Sequence, residues 1–134
     1  MSVFGSLDIS GSGINAAQTW IDTIGGNIAN ANDVVPTDEA AYRTQTPVFT
    51  PVQEQGSPGE AVDVSAIDLG SSTGEVVPDP ENPLADSKGD VRESDVDLAS
   101  QMVDLVQAQE DYQSNATAFG QAVTAYKSAI TLVS

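Results

Sequence analysis

Residues 96–133 read VDLASQMVDLVQAQEDYQSNATAFGQAVTAYKSAITLV, and this stretch decides the fold. Apolar or aromatic residues recur along it at alternating steps of four and three, with Gln109 as the one polar residue in the register. Such spacing places successive side chains on one face of a helix, so the stretch predicts a single long C-terminal helix. The residues in the register are Leu98, Met102, Leu105, Tyr112, Ala116, Phe119, Val123, Tyr126, Ile130 and Val133.

The positions beside this register are small and uncharged, as Ala108, Asn115 and Ala122 illustrate. A two-stranded coiled coil usually carries Glu and Lys there, so the pattern favours a helix with neighbours on more than one side. From residue 112 to the end of the sequence the only charged side chain is Lys127. The C-terminal half of the helix therefore has the character of a surface that becomes buried in an assembly.

The N-terminal region repeats the same three-and-four spacing, which predicts a first helix from near Asp8 to Asn30. Its apolar face consists of Ile14, Ala17, Ile21, Ile24, Ile28 and Ala31. Gly25 and Gly26 each cost about 1 kcal/mol in a helix relative to Ala, so a frayed or kinked end is one expectation for this region.

Between the two helices the composition changes, since all seven prolines and most of the acidic residues lie in 33–95. We expect a mainly α fold in which the N- and C-terminal helices pair as a coiled-coil-like domain. The acidic Pro/Gly-rich middle is expected to be irregular, with at most a short β-hairpin from 42–52 and 61–69 and poor order at 53–60. This gives three parts: an N-terminal helix in 1–32, an irregular connecting segment in 33–95 and a long C-terminal helix in 96–134.

Composition excludes several functions. A net charge of −16 with only four basic residues argues against binding to nucleic acid or to an anionic membrane surface. The sequence has no His and no Cys, and it contains no phosphate-binding loop or nucleophile motif, so we expect neither an enzyme nor a cofactor. The acids at 79–90 suggest calcium, but Lys88 occupies a position that a ligand would need, and a solvated loop is favoured.

The sequence shows neither a cleavable secretory signal nor an apolar run of the ~20 residues that cross a bilayer. We therefore expect no direct insertion into a membrane. The chain is either cytosolic or exported by a route that does not use such a signal.

Several short motifs occur in one order along the chain. Gly26–Asn32 (GNIANAN) resembles the Asn-Leu-Ala-Asn signature of the bacterial flagellar rod and hook axial proteins. It is followed by Tyr42-Arg43 with Val48-Phe49, by Asn82–Gly89 (NPLADSKG), by Val96-Asp97-Leu98 with Met102, and by Tyr112–Asn115 (YQSN). Taken together, these motifs resemble those of a rod protein of that family, and the resemblance covers essentially the whole chain. It departs from the family at Asp90, where an aromatic residue is common, at Gln101, where Glu is usual, and at Gly25-Gly26.

The resemblance implies a structural subunit of the proximal rod that assembles helically and transmits torque from the motor to the hook. The implied partners are other rod subunits, copies of the chain itself and the flagellar type III export apparatus, which needs no cleavable signal peptide. The implied location is the basal body within the cell envelope, in the periplasm where an outer membrane is present.

The residues expected at the assembly interface are those of the two apolar faces together with three asparagines that resemble register or end-capping groups. They are Ile14, Ile21, Ile24, Asn27, Ile28, Asn30, Leu98, Met102, Leu105, Tyr112, Asn115, Phe119, Val123, Tyr126 and Ile130. Three alternatives stay open: an acidic helical binding module, such as an exported effector or chaperone that pairs with one partner helix; an enzyme with carboxylate or metal chemistry; and a neighbouring axial protein.

Overall fold

The computed structural model describes residues 3–53 and 59–133, and it contains two long helices and five strands in that range. The elements in chain order are α1 (Val3–Ala29), β1 (Val34–Val35), β2 (Gln45–Gln53), β3 (Glu60–Leu69), β4 (Glu75–Pro78), β5 (Asp90–Glu93) and α2 (Leu98–Val133). The expected loop at 53–60 falls mostly on 54–58, which lie outside the described residues.

Both predicted helices are present. The prediction of one uninterrupted C-terminal helix is confirmed, because α2 runs for 36 residues. Helix α1 begins five residues before the predicted Asp8 and continues through Gly25 and Gly26 to Ala29.

Asp97 provides the N-terminal cap of α2. Its carboxylate accepts hydrogen bonds from the backbone N–H of Ala99 at 3.0 Å and from the hydroxyl of Ser100 at 2.6 Å. The bond from Ser100, followed by those from backbone N–H groups, holds the pKa of Asp97 below its ordinary value. The cap satisfies donors that the first turn of a helix leaves unpaired, and it explains why α2 begins at Leu98.

The prediction of an irregular middle with at most a short hairpin is wrong. Residues 34–93 contain five strands that form two antiparallel sheets, one with the order β1-β5-β4 and one that pairs β2 with β3. In the three-stranded sheet Val91 lies opposite Val77 and is fully buried, while Arg92 pairs with Val35 on one side and Val76 on the other. Strands of two to four residues are too short to show an alternating pattern in the sequence, and the charges of β5 make it resemble a solvated loop.

Gly74 is required by the turn that leads into β4. Its φ is +52°, and a Cβ at this position would overlap the carbonyl oxygen of Glu93 and the side chain of Ala41. Only glycine combines this left-handed conformation with so close an approach of backbone to backbone. The turn therefore brings β4 alongside β5.

The described chain divides into two compact units, each of which contains part of both helices. The first unit lies within 1–21, 47–66 and 106–134, and the second within 22–46 and 67–105. In the first unit the helices run antiparallel: Phe4 packs edge-to-face against Tyr126 with ring centroids 5.4 Å apart, and Gly13 lies against Asn115. In the second unit the buried residues include Ile24, Asn27, Val91 and Gln101.

Replacing two glycines of α1 by alanine should have opposite effects on the stability of the fold. At Gly25 an added Cβ would meet nothing within 4 Å, so Gly25→Ala should stabilise the fold by about 0.5–1 kcal/mol. At Gly13 an added Cβ would lie 2.5 Å from Oδ1 of Asn115, so Gly13→Ala should destabilise it instead. Urea denaturation followed by circular dichroism measures both effects, and a stabilised Gly13→Ala would contradict the close packing of the helices there.

Candidate assembly surface

The inward face of α2 in the first unit is a row of small side chains. Ala108 is fully buried, and Asn115 and Ala122, which follow at intervals of seven residues, are half-buried. Gly13 of α1 offers no side chain where Asn115 packs. Small residues let helix backbones approach closely, so this row allows α1 and α2 to pack closely in the first unit.

The large apolar side chains of the predicted register are largely exposed. Met102 is 55% exposed and Ile130 51%, and four more of these residues retain at least a third of their accessible area. The four are Leu98, Tyr112, Phe119 and Tyr126. Leu105 and Val123 are half-buried. We call the six exposed residues together the α2 stripe.

The predicted interface residues of α1 are placed differently. Ile24 is buried in the second unit, where Ile28 is half-buried, and Ile14 and Ile21 are half-buried in the first unit. Phe4 of α1 is exposed and contacts Tyr126 of the α2 stripe.

Asn27 is 1% exposed and stands at the centre of a polar cluster in the second unit. Its Nδ2 donates to the carbonyl of Gln45 and to Oε1 of Gln101, both at 2.8 Å. Its Oδ1 accepts from the backbone N–H of Gln45 at 2.9 Å and from the hydroxyl of Tyr42 at 3.1 Å. A side-chain amide has two donor hydrogens and two acceptor lone pairs, and all four are used here.

This cluster joins three elements, because Asn27 lies near the end of α1, Gln45 begins β2 and Gln101 lies in the first turns of α2. Sequence reasoning identified Asn27 but not its partners. Tyr42 belongs to a motif and Gln101 is a departure from the family pattern, but neither was expected to bond to Asn27, and the backbone of Gln45 gives no sequence signal.

The other two predicted asparagines each bond to a backbone carbonyl four residues earlier in the chain. Nδ2 of Asn30 donates to the carbonyl of Gly26 at 2.7 Å, and the same carbonyl accepts from the backbone N–H of Asn30 at 3.2 Å. Nδ2 of Asn115 donates to the carbonyl of Asp111 at 2.9 Å.

Asp86 organises the loop between β4 and β5. Its Oδ1 accepts from the backbone N–H groups of Lys88 at 2.8 Å and Asp90 at 3.1 Å, and its Oδ2 accepts from the hydroxyl of Thr37 at 3.0 Å. The N–H groups of Asp90 and Lys88 are the main reason that the pKa of Asp86 is lowered. Over residues 3–53 and 59–133, no group of three or more acidic side chains could hold a metal ion.

The lowered pKa of Asp86 predicts a pH dependence. A carboxyl whose pKa is lower in the folded state stabilises the fold above its unfolded pKa, here about 3.8, and this contribution is lost as the pH falls through the folded value. Asp86→Asn should therefore be less stable than the parent at pH 6, and the difference should shrink below about pH 4. Urea denaturation at a series of pH values measures it, and a difference that stayed constant down to pH 2 would contradict the role of the ionised carboxylate.

Comparison with known proteins relates the chain to a family. Residues 7–35 match the family described as "Flagella basal body rod protein". The chain is 35% identical over 115 residues to the flagellar basal-body rod protein FlgC of Yersinia enterocolitica, with 86% of each chain covered. It is 34% identical over 120 residues to FlgC of Aquifex aeolicus, covering 89% of this chain and 88% of that protein. The chain belongs to the FlgC family of flagellar basal-body rod proteins.

Membership of the FlgC family confirms the resemblance and the prediction of a structural rod protein rather than an enzyme. The match extends to a more distant relative, FlgC of Borreliella burgdorferi, which is 27% identical over 150 residues and aligns with 99% of each chain. Among the described residues no helix is both long and apolar enough to cross a membrane.

Proposed function

We propose that this FlgC-family chain is a subunit of the proximal rod that assembles helically with other rod subunits and with copies of itself. In this role it transmits torque from the motor to the hook. The observation that carries the proposal is the α2 stripe, because six large apolar side chains are exposed along one helix. Exposed apolar surface of this extent is typical of a site that another protein covers.

The charge distribution supports the same proposal. Lys127 is the only charge from Tyr112 to the end of the chain, although the whole chain carries a net charge of −16. Removing such a surface from water costs little electrostatic energy, since Lys127 is its one charged side chain. In this proposal residues 1–32 and 96–134 form the helical part of the rod. Residues 33–95 lie beside that part.

Assembly outside the cytoplasm requires export. We propose that the flagellar type III apparatus exports the chain without cleavage and that it resides in the basal body within the cell envelope. The test is intact-mass analysis of the chain recovered from isolated basal bodies, which should show no loss of an N-terminal peptide. Recovery of a shortened chain would contradict this route.

The proposal is tested by deleting the coding sequence and restoring it with a C-terminally tagged chain. The deletion strain should form neither hook nor filament and should not swim, and the tagged chain should co-purify with basal bodies. Cryo-electron microscopy of those basal bodies should place its helices in the rod. A motile deletion strain, or a tagged chain found only in a soluble complex with one partner, would overturn the proposal.

A further inference from the structure

The second unit carries most of the negative charge of the chain. Its residues, 22–46 and 67–105, include 14 acidic and three basic side chains, which gives a net charge of −11 out of −16 for the whole chain. The first unit carries the remaining −5. Charge of one sign confined to a compact unit opposes folding, because the carboxylates repel one another more strongly in the folded state than in the open chain.

The three-stranded sheet brings two of these carboxylates to opposite positions. Glu75 of β4 lies opposite Glu93 of β5, and the residue opposite Glu93 on the other side is Val34 of β1. Opposite residues of antiparallel strands have Cβ atoms about 4.5–5.5 Å apart, and like charges there destabilise the pairing. The register that pairs the buried Val91 with Val77 therefore places two negative charges together.

Two of the three basic residues of the unit bond to backbone carbonyls. Nε of Arg43 donates to the carbonyl of Gly70 at 2.8 Å. The guanidinium of Arg92 donates to the carbonyls of Thr37 and Thr73. Each arginine offsets one charge in a unit that has 14 negative ones, so most of the repulsion is left to the solvent to screen.

The core that opposes this repulsion consists of few large side chains. Among the described residues the largest fully buried side chains are Ile24, Asn27 and Val91, all in the second unit, and Asn27 is polar. The other buried apolar residues of the unit are Ala31 and Ala41. Hydrophobic burial is the main favourable contribution to folding, and only a small excess over the opposing contributions remains. Repulsion therefore weighs heavily in the stability of this unit.

The size of the unit decides which salt concentrations matter. A compact unit of 64 residues has a radius of gyration of about 11 Å, so most of its charges lie within roughly 20 Å of one another. The screening length is about 30 Å at about 0.01 M monovalent salt and about 3 Å at about 1 M. The carboxylates thus repel one another across the whole unit in dilute buffer, whereas in concentrated salt only the closest pairs do so.

We infer that the fold of the second unit depends on salt: monovalent salt stabilises it by screening the repulsion among its carboxylates, and dilute buffer destabilises it. The ions act as a diffuse atmosphere around the unit and not at a single site. The inference goes beyond the proposed function, because it concerns the folding of each copy before any contact with a neighbour.

Thermal melting of the purified full chain, followed by circular dichroism at pH 7, tests the inference. Between about 0.02 M and about 1 M NaCl the melting temperature should rise by about 10 °C. The rise should be the same in tetramethylammonium chloride, whose bulky cation screens charge but is a poor ligand for carboxylates. A melting temperature that does not change with salt, or a rise that sodium alone produces, would overturn the inference.

Charge neutralisation assigns the effect to the second unit. One variant combines four changes at exposed acids of that unit and lowers its net charge to −7. Repulsion within a unit scales with the square of its net charge, so it should fall to about 40% and the salt-induced rise in melting temperature should fall by roughly half. The four changes are Asp38→Asn, Glu39→Gln, Asp68→Asn and Glu75→Gln.

The matched control makes the same types of change at four exposed acids of the first unit, namely Glu60→Gln, Asp63→Asn, Glu110→Gln and Asp111→Asn. It has the same total charge as the first variant but leaves the second unit at −11, so it should keep most of the salt response. An equal loss of response in both variants would overturn the assignment to the second unit. A rise in melting temperature that depends on protein concentration would assign the salt effect to self-association and would also overturn the inference.

Discussion

Replacing Asn27 by leucine should lower the free energy of unfolding by about 3–5 kcal/mol, because several buried polar groups lose their partners at once. Leucine is close to asparagine in size but can neither donate to Gln45 and Gln101 nor accept from Tyr42. Each buried polar group left without a partner costs about 1–3 kcal/mol. The melting temperature should fall by roughly 10 °C or more.

A double-mutant cycle shows whether the loss comes from this cluster. Gln101→Leu removes the acceptor on α2, and the double variant Asn27→Leu with Gln101→Leu should be less destabilised than the sum of the single variants. Asn32→Leu, at an exposed asparagine just after α1, is the control and should change stability by less than about 0.5 kcal/mol. If Asn27→Leu were as stable as the parent, the cluster would have no structural role.

The cluster shows how far the sequence could predict this fold. The three-and-four spacing located both helices, and the motif around Asn27 drew attention to the correct residue. The partners came from Tyr42, from the backbone of Gln45 and from Gln101, which are remote in sequence. No local pattern encodes such contacts, so their identity required the three-dimensional structure.

The helix register illustrates a second limit. The apolar spacing of α2 correctly predicted a helix, but it does not show which side of that helix faces the rest of the chain. Small residues such as Ala108 and Asn115 occupy the closest contact, and larger ones such as Met102 remain exposed. The small uncharged flanks indicate neighbours on more than one side of the helix, and this stays a prediction.

The missed sheets have a different cause. In β5 only Val91 points into the core, and it is flanked by Asp90 and Arg92. The side chain of Arg92 donates to the carbonyls of Thr37 and Thr73. The sequence suggests an arginine in contact with solvent, but in the structure it links two loops. Short antiparallel strands are stabilised by such non-local bonds more than by their own composition.

Placing a charge in the α2 stripe should abolish motility while leaving the isolated chain folded. Met102→Asp is the sharpest variant, because Met102 is 55% exposed in the folded chain and aspartate can remain in water there. In an assembled rod the same carboxylate would be buried without a partner, and the apolar contact of methionine, worth about 1.5–3 kcal/mol, would be lost. The cost recurs at every copy, so assembly should fail.

Swimming in soft agar, the yield of basal bodies and the circular dichroism of the purified variant measure the three parts of this prediction. The matched control is Gln107→Asp, since Gln107 is exposed on α2 and lies on the side of the helix opposite the stripe. The control should swim normally, and both variants should keep the helix content of the parent. A Met102→Asp strain that swims normally with the variant in its basal bodies would show that the stripe is not buried in the rod. Loss of helix in the purified Met102→Asp chain would instead assign the defect to folding and would contradict the expectation that aspartate is tolerated at this exposed position.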